Sequence, residues 1–368
     1  MDAAQLAQLH WTVLGCAGLV SLCLGAVLHR SHFCTMGAVS DAVIMGNFDR
    51  LRQWALALVV AILGFGLMAY SGLISPLQSI YATSVANWLS AIFGGVMFGW
   101  GMVWSSGCGA KSLVRLGAGN LKSLMVVLVF GVVGLASLKG FLAFPRVYLF
   151  DAVNTTPEHG LFAGQWLAHY LNLSLGVGML WAAVAGAVVF LVWIFKDPSF
   201  LTFHNVATGT LVGLIVCSVW WISGVLGHGL EHPETLDEFF LATSSRKMEA
   251  ISLTAPVSFG LDALMYFSDG TKRLTIGMVS VIGICLGALI SAILQGNFKI
   301  EGFSNAADMK RHLVGASLMG FGAVLAMGCS LGQGLSGFST LNVVSLVATT
   351  AILLGAYLAL QFDLQQAG

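Results

Sequence analysis

GGVMFGWGMVWSSGC (94–108) lies over GASLMGFGAVLAMGC (315–329) without a gap. Gly94, Gly99, Gly101, Val103, Gly107 and Cys108 meet identical residues. Upstream, GAVSDAV (37–43) falls over SFGLDAL (258–264). Asp41 and Cys108 are 67 apart (108 − 41), as are Asp262 and Cys329 (329 − 262), so both anchors share one offset, 221 (262 − 41). Chance matching of glycines is the alternative. Two anchors at one offset, in the same order, argue instead for an internal repeat.

Working outward, the chain has 368 residues, 57% hydrophobic and 9% charged. Soluble domains carry about 25% charge, so this chain cannot cover a water-facing surface. Its apolar residues form runs long enough to cross roughly 30 Å of hydrocarbon. Nine spans are expected, near 11–29, 52–74, 86–105, 121–142, 173–195, 207–224, 274–296, 311–328 and 342–362. Four shorter glycine-rich segments, 33–46, 107–118, 255–268 and 329–339, read as re-entrant pieces. Such pieces persist at membrane depth only when buried in protein or lining a cavity. The fold class is therefore an all-α integral membrane protein.

Half one (1–150) holds spans one to four, 151–204 is a linker with span five, and half two (205–368) holds spans six to nine. The odd linker reverses the second half, which makes the repeats inverted. Transporters built this way bind substrate where broken helices of the two halves meet.

Nine spans put the termini on opposite sides. Arg30, Arg50, Arg52, Lys111, Arg115, Lys122, Lys196, Lys299, Lys310 and Arg311 fall on one side. Lys139, Arg146, Arg246, Lys247, Lys272 and Arg273 fall on the other. The positive-inside rule makes the first group cytoplasmic and the N-terminus external. No Lys or Arg precedes Trp11, so the start does not read as a cleaved signal peptide. Zero net charge argues against a nucleic-acid partner. Seven Cys without a CxxC pair argue against a disulfide framework.

Cys34, Cys108 and Cys329 sit at the breakers, each before a short apolar helix. A helix start offers free N–H groups to an anion, and a thiol adds a weak, polarizable donor. Gly107, Gly109 and Gly328 allow close backbone approach. These residues suit a path for a soft anion, with helix packing, or a membrane thiol enzyme that handles sulfur or disulfide equivalents, as the alternatives. Cys16, Cys23, Cys217 and Cys285 fall inside spans and read as packing residues.

Lys111 and Arg115 share a helix face. They either attract an anion or anchor the helix end. Gln333 lines the path or caps a helix. Asp41 and Asp262 either stabilise their helices or couple a cation. His228, Glu231 and His232 match a zinc-protease pattern, but flanking glycines and Pro233 deny it a stable helix. No metal, cofactor or enzymatic activity is expected. His29 and His32 read as interfacial.

The Cys-centred motifs, with GCGAKSLVRLGAGNLKSL (107–124), EGFSNAADMKRHLVGASLMGFG (301–322) and GCSLGQGLSGFSTL (328–341), resemble the YeeE/YedE family of bacterial membrane proteins. The resemblance covers nearly the whole chain. It implies an hourglass-shaped inverted-repeat transporter of the inner membrane that takes up a sulfur-containing anion, thiosulfate in the characterised branch. It further implies that Cys34, Cys108 and Cys329 pass the anion inward through S–H···S hydrogen bonds. A cytoplasmic TusA-like sulfurtransferase is the implied partner. Other branches are linked to selenium, and the insert at 225–253 departs from the family pattern.

Overall fold

The computed structural model describes residues 3–231, 236–270 and 273–367. Lys272 and His232 lie outside them. The regular structure of the described chain is helical, apart from one short antiparallel pair, β1 (His228–Gly229) and β2 (Phe239–Phe240).

The first half runs α1 (Ala3–Ser31), α2 (Thr35–Ser40, continued by a π turn to Met45), α3 (Asp49–Tyr70), α4 (Trp88–Trp104), α5 (Gly109–Gly117) and α6 (Leu121–Lys139). A single turn, α7 (Ala143–Pro145), then leads to the hairpin α8 (Ala163–Leu171) and α9 (Leu175–Phe195). The remainder runs α10 (Phe203–Trp221), α11 (Thr254–Met265), α12 (Ile276–Leu294), α13 (Ala306–Leu325), a π turn (Gly332–Gly337) and α14 (Val343–Ala367). Among the described residues, eight helical stretches are long and apolar enough to cross a membrane. The molecule is an all-α integral membrane protein.

The remaining expected span, α13, is 20 residues long but falls outside those eight. Its first turns hold Asp308, Lys310, Arg311 and His312. Asp308 bonds Lys122 at 2.7 Å, so part of this charge is satisfied within the protein. The four breakers expected from sequence appear as α2 with its π turn, α5, α11 and the turn Gly332–Gly337.

Local chemistry sets several helix starts. Side chains of Asn120, Thr202, Thr275 and Asn305 accept from backbone amides in the first turns of α6, α10, α12 and α13, satisfying groups the helix cannot. The exits of α4 and α13 match bond for bond. Ser106 and Met327 both take left-handed backbone, at φ 57° and 58°. Gly107 N donates to Met102 O and Gly328 N to Ala323 O, both at 2.8 Å. This double turn ends each helix and leads directly into its Cys, four positions past the last helical residue.

Packing is reciprocal between the two stretches. α1 packs along α12, and α10 along α3. α4 packs along α14, and α6 along α13. α4 and α13 cross each other on glycine. A Cβ at Gly94 would stand 2.7 Å from Gly322 O, and one at Gly101 would stand 2.5 Å from Gly315 O. Because 94 meets 322 while 101 meets 315, the repeat-related helices run antiparallel. Lipid supplies no hydrophobic force between helices, so this closeness of backbones carries much of the association. Trp220, Phe65 and Phe98 are fully buried in the surrounding core.

Lys139, Arg246 and Arg273 line one cavity, of about 840 Å³. Arg52 pairs with Asp197, beside Lys196, at 2.7 Å, and the backbone at Ala118–Leu121 bonds that at Lys299–Glu301.

Candidate functional site

The breakers bring their thiols to the interior. Cys34, Cys108 and Cys329 are all buried, the last two at 2% and 1% exposure. Cys34 stands at the start of α2 and Cys108 at the start of α5, both in extended backbone. Their Sγ atoms lie 3.9 Å apart, within reach of an S–H···S hydrogen bond. The residues are 74 positions apart in sequence. The fold thus points two helix starts at one spot.

Cys329 repeats the pattern, with its Sγ accepting from Gly332 N at 3.5 Å. The same residue three positions on faces the other sulfurs, Gly37 at Cys34 and Lys111 at Cys108. Each sulfur therefore sits where an oxygen side chain would cap a helix, and sulfur caps weakly. Ser330, next to Cys329, reaches the neighbourhood of Cys108. Its buried hydroxyl has no hydrogen-bond partner among the described residues. Adjacency to Cys329 was the signal for Ser330, which motif reading passed over.

Lys111 and Arg115 part company. Arg115 Nη1 donates to Ser106 O at 2.9 Å, tying α5 to the turn before Cys108. Lys111 folds its stem against Gly107, whose added Cβ would lie 3.0 Å from Lys111 Cγ. Its charge acts on Cys34, Cys108, His29 and His32. Among the described residues no carboxylate forms an ion pair with it. Gln333 does cap: its Nε2 donates to Ala326 O at 2.7 Å, at the end of α13. Its Oε1 stays buried, with no hydrogen-bond partner among the described residues. Gly109 has room for a side chain, its nearest neighbour being Phe130 at 3.7 Å, whereas an added Cβ would be crowded at Gly107, Gly328, Gly332 and Gly334.

Both repeat-related acids are ion-paired, Asp41 with Arg50 at 3.2 Å and Asp262 with Lys139 at 3.4 Å. His29, near the end of α1, bonds Ser291 Oγ near the end of α12 at 3.0 Å. Cys217 and Cys285 donate to the carbonyls of Val60 and Leu113 across helix contacts. His228 bonds Glu238 at 2.6 Å. No three His, Cys, Asp or Glu side chains among the described residues form a metal cluster. Tyr81, in a loop that carried no motif, donates to Gly332 O at 2.5 Å and so braces the Cys329 turn.

A multi-helix membrane protein with glycine-locked crossings and buried thiols at broken helices has the build of a membrane transport protein. The chain belongs to the sulphur transport family, whose model matches residues 30–358. It is 25% identical over 358 residues to a thiosulfate transporter, TsuA, of Escherichia coli, covering 91% of this chain and 90% of that one. It is equally 25% identical to the thiosulfate transporter TsuA of Spirochaeta thermophila, covering 94% and 96%.

Proposed function

We propose that this chain imports thiosulfate, or a closely related sulfur anion, across the bacterial inner membrane. The observation that carries this is the meeting of Cys34 and Cys108 at 3.9 Å in a chain whose relatives bear the name of thiosulfate transporters. The path runs past Cys329, then Cys108 and Cys34. A thiol offers a soft surface and a weak donor, so it holds a thiosulfate sulfur without trapping it. Lys111, which no carboxylate among the described residues pairs with, adds positive charge beside the two inner thiols. Gln333 Oε1 and the glycine backbones at 107 and 328 complete the lining.

The chain is further proposed as two inverted halves, 1–150 and 205–368, joined through 151–204. The antiparallel crossing of α4 and α13 and the reciprocal packing around it support this. With α13 as a ninth crossing, the N-terminus is periplasmic and the C-terminus cytoplasmic. A TusA-like sulfurtransferase would then receive the anion inside.

Uptake of labelled thiosulfate tests the reading in cells that lack their own uptake system. Wild type restores uptake, and Cys108→Ala and Cys329→Ala abolish it at equal expression. Full uptake by both variants would rule out passage along the thiols.

A further inference from the structure

Thr254 opens α11, the half-two counterpart of the short helix that Cys34 opens. At offset 221 Cys34 matches Ala255, so this helix start has lost its thiol. It has a buried hydroxyl instead. Thr254 is 3% exposed, and its Oγ1 has no hydrogen-bond partner among the described residues. A lost or absent partner for a buried hydroxyl is costly, so such a group needs a reason. Its methyl faces α6, where a Cβ at Gly134 would stand 3.8 Å from Thr254 Cγ2. That leaves the hydroxyl for the other side, where Thr254 lines a cavity of about 260 Å³.

The same cavity is walled by Arg146, Glu249, Ser252, Met327 and Gly328. Arg146 Nε is likewise buried without a hydrogen bond, 3.9 Å from Asp151. Glu249 brings an opposing charge, but its Oε1 already accepts from Ser244 N, Ser244 Oγ and Ser245 N at 2.7–3.0 Å. The floor is the turn that leads to Cys329. Ser252 and Tyr81 on the cavity wall also touch Gly332, whose amide bonds the Cys329 sulfur.

We propose that this cavity is a separate binding site for a small tetrahedral sulfur oxyanion, held by the Thr254 hydroxyl, the start of α11 and the Arg146 guanidinium before it reaches Cys329. The first amides of a helix have no partners within it, and α11 is long enough, at 12 residues, to bring a dipole. A hydroxyl and a guanidinium recognise oxygens, whereas the deeper thiols recognise sulfur. The site would therefore admit sulfate as well as thiosulfate, and selection would follow at the cysteines. This rests on the transport function proposed above.

The test uses the full chain in lipid nanodiscs, with thiosulfate and sulfate as probes in calorimetry and in thermal melts. Thr254→Val should weaken binding of both anions about ten- to hundredfold, the value of one hydrogen bond to a charged group. Thr254→Ser should bind as wild type does. Without anion Thr254→Val should melt no lower than wild type, since it deletes an unpartnered hydroxyl. It should also lose the rise in melting temperature that either anion gives wild type. Should Thr254→Val fail to fold, Arg146→Gln in the same cavity must show the loss. If wild type transports thiosulfate but both variants bind like wild type, this site is wrong and the transport function stands. If wild type neither binds nor transports thiosulfate, both fall.

Discussion

Replacing Gly101 by Ala puts a methyl against the backbone of the repeat-related helix. The new Cβ would lie 2.5 Å from Gly315 O and 2.7 Å from Met319 N, both atoms that no rotamer change can move. Restoring ordinary contact means going from 2.5 Å to 3.4 Å, so the helices must part by roughly 0.9 Å. Overpacking of this kind costs about 1–3 kcal/mol. The better helix propensity of Ala returns up to about 1 kcal/mol. A net loss of up to about 2 kcal/mol is expected. Gly322→Ala should lose a similar amount, because its Cβ meets Phe98 N at 2.6 Å and Gly94 O at 2.7 Å. Gly15→Ala, with nothing within 4 Å, should lose nothing. Thermal melts of the three purified variants in one detergent measure this. Melting of Gly101→Ala and Gly322→Ala together with Gly15→Ala would refute the close crossing. α4 leads through one turn into Cys108, so the two crossing variants should also lower thiosulfate uptake.

Cys34→Ala should reduce uptake as strongly as Cys108→Ala, since each removes one member of a 3.9 Å pair; initial-rate uptake at matched expression decides it. Lys111→Ala should lower uptake with little change in melting temperature, because no carboxylate among the described residues pairs with it, whereas Arg115→Ala should lower the melting temperature by removing the bond to Ser106 O. Ser199, through its hydroxyl and amide, and Arg52 hold the Asp197 carboxyl below the usual carboxylate range. That contribution is present above the unfolded pKa and is lost as pH falls through the depressed folded value. Asp197→Asn should therefore flatten the acid limb of a stability-against-pH curve, with a small effect because Asp197 is 39% exposed on its side chain.

Residues 94–108 and 315–329 announced the architecture because each constraint there is local. A span needs a run of apolar residues, a turn out of a helix needs Gly at a set distance, and both leave marks in consecutive positions. The same locality exposed the three cysteines at their breakers. It could not separate Lys111 from Arg115, which look alike on one helix face, nor decide what Gln333 does. Those outcomes depend on which backbone carbonyl stands opposite, at Ser106 and Ala326. α13 shows the reverse limit: its charged first turns weaken its apolar signal, and packing against α4 and α6 holds it in the bundle.

By itself, then, the sequence determined a membrane-spanning helical chain and its thiol-bearing breakers, and pointed to a repeat, since hydropathy and glycine spacing act along the chain. Only the tertiary structure decided that Cys34 and Cys108 face each other and that Ser330 reaches their neighbourhood. It alone left the Thr254 hydroxyl without a partner among the described residues, at a cavity. Those facts arise from helices separated by tens to hundreds of residues crossing closely, and contact across such distances depends on packing in three dimensions.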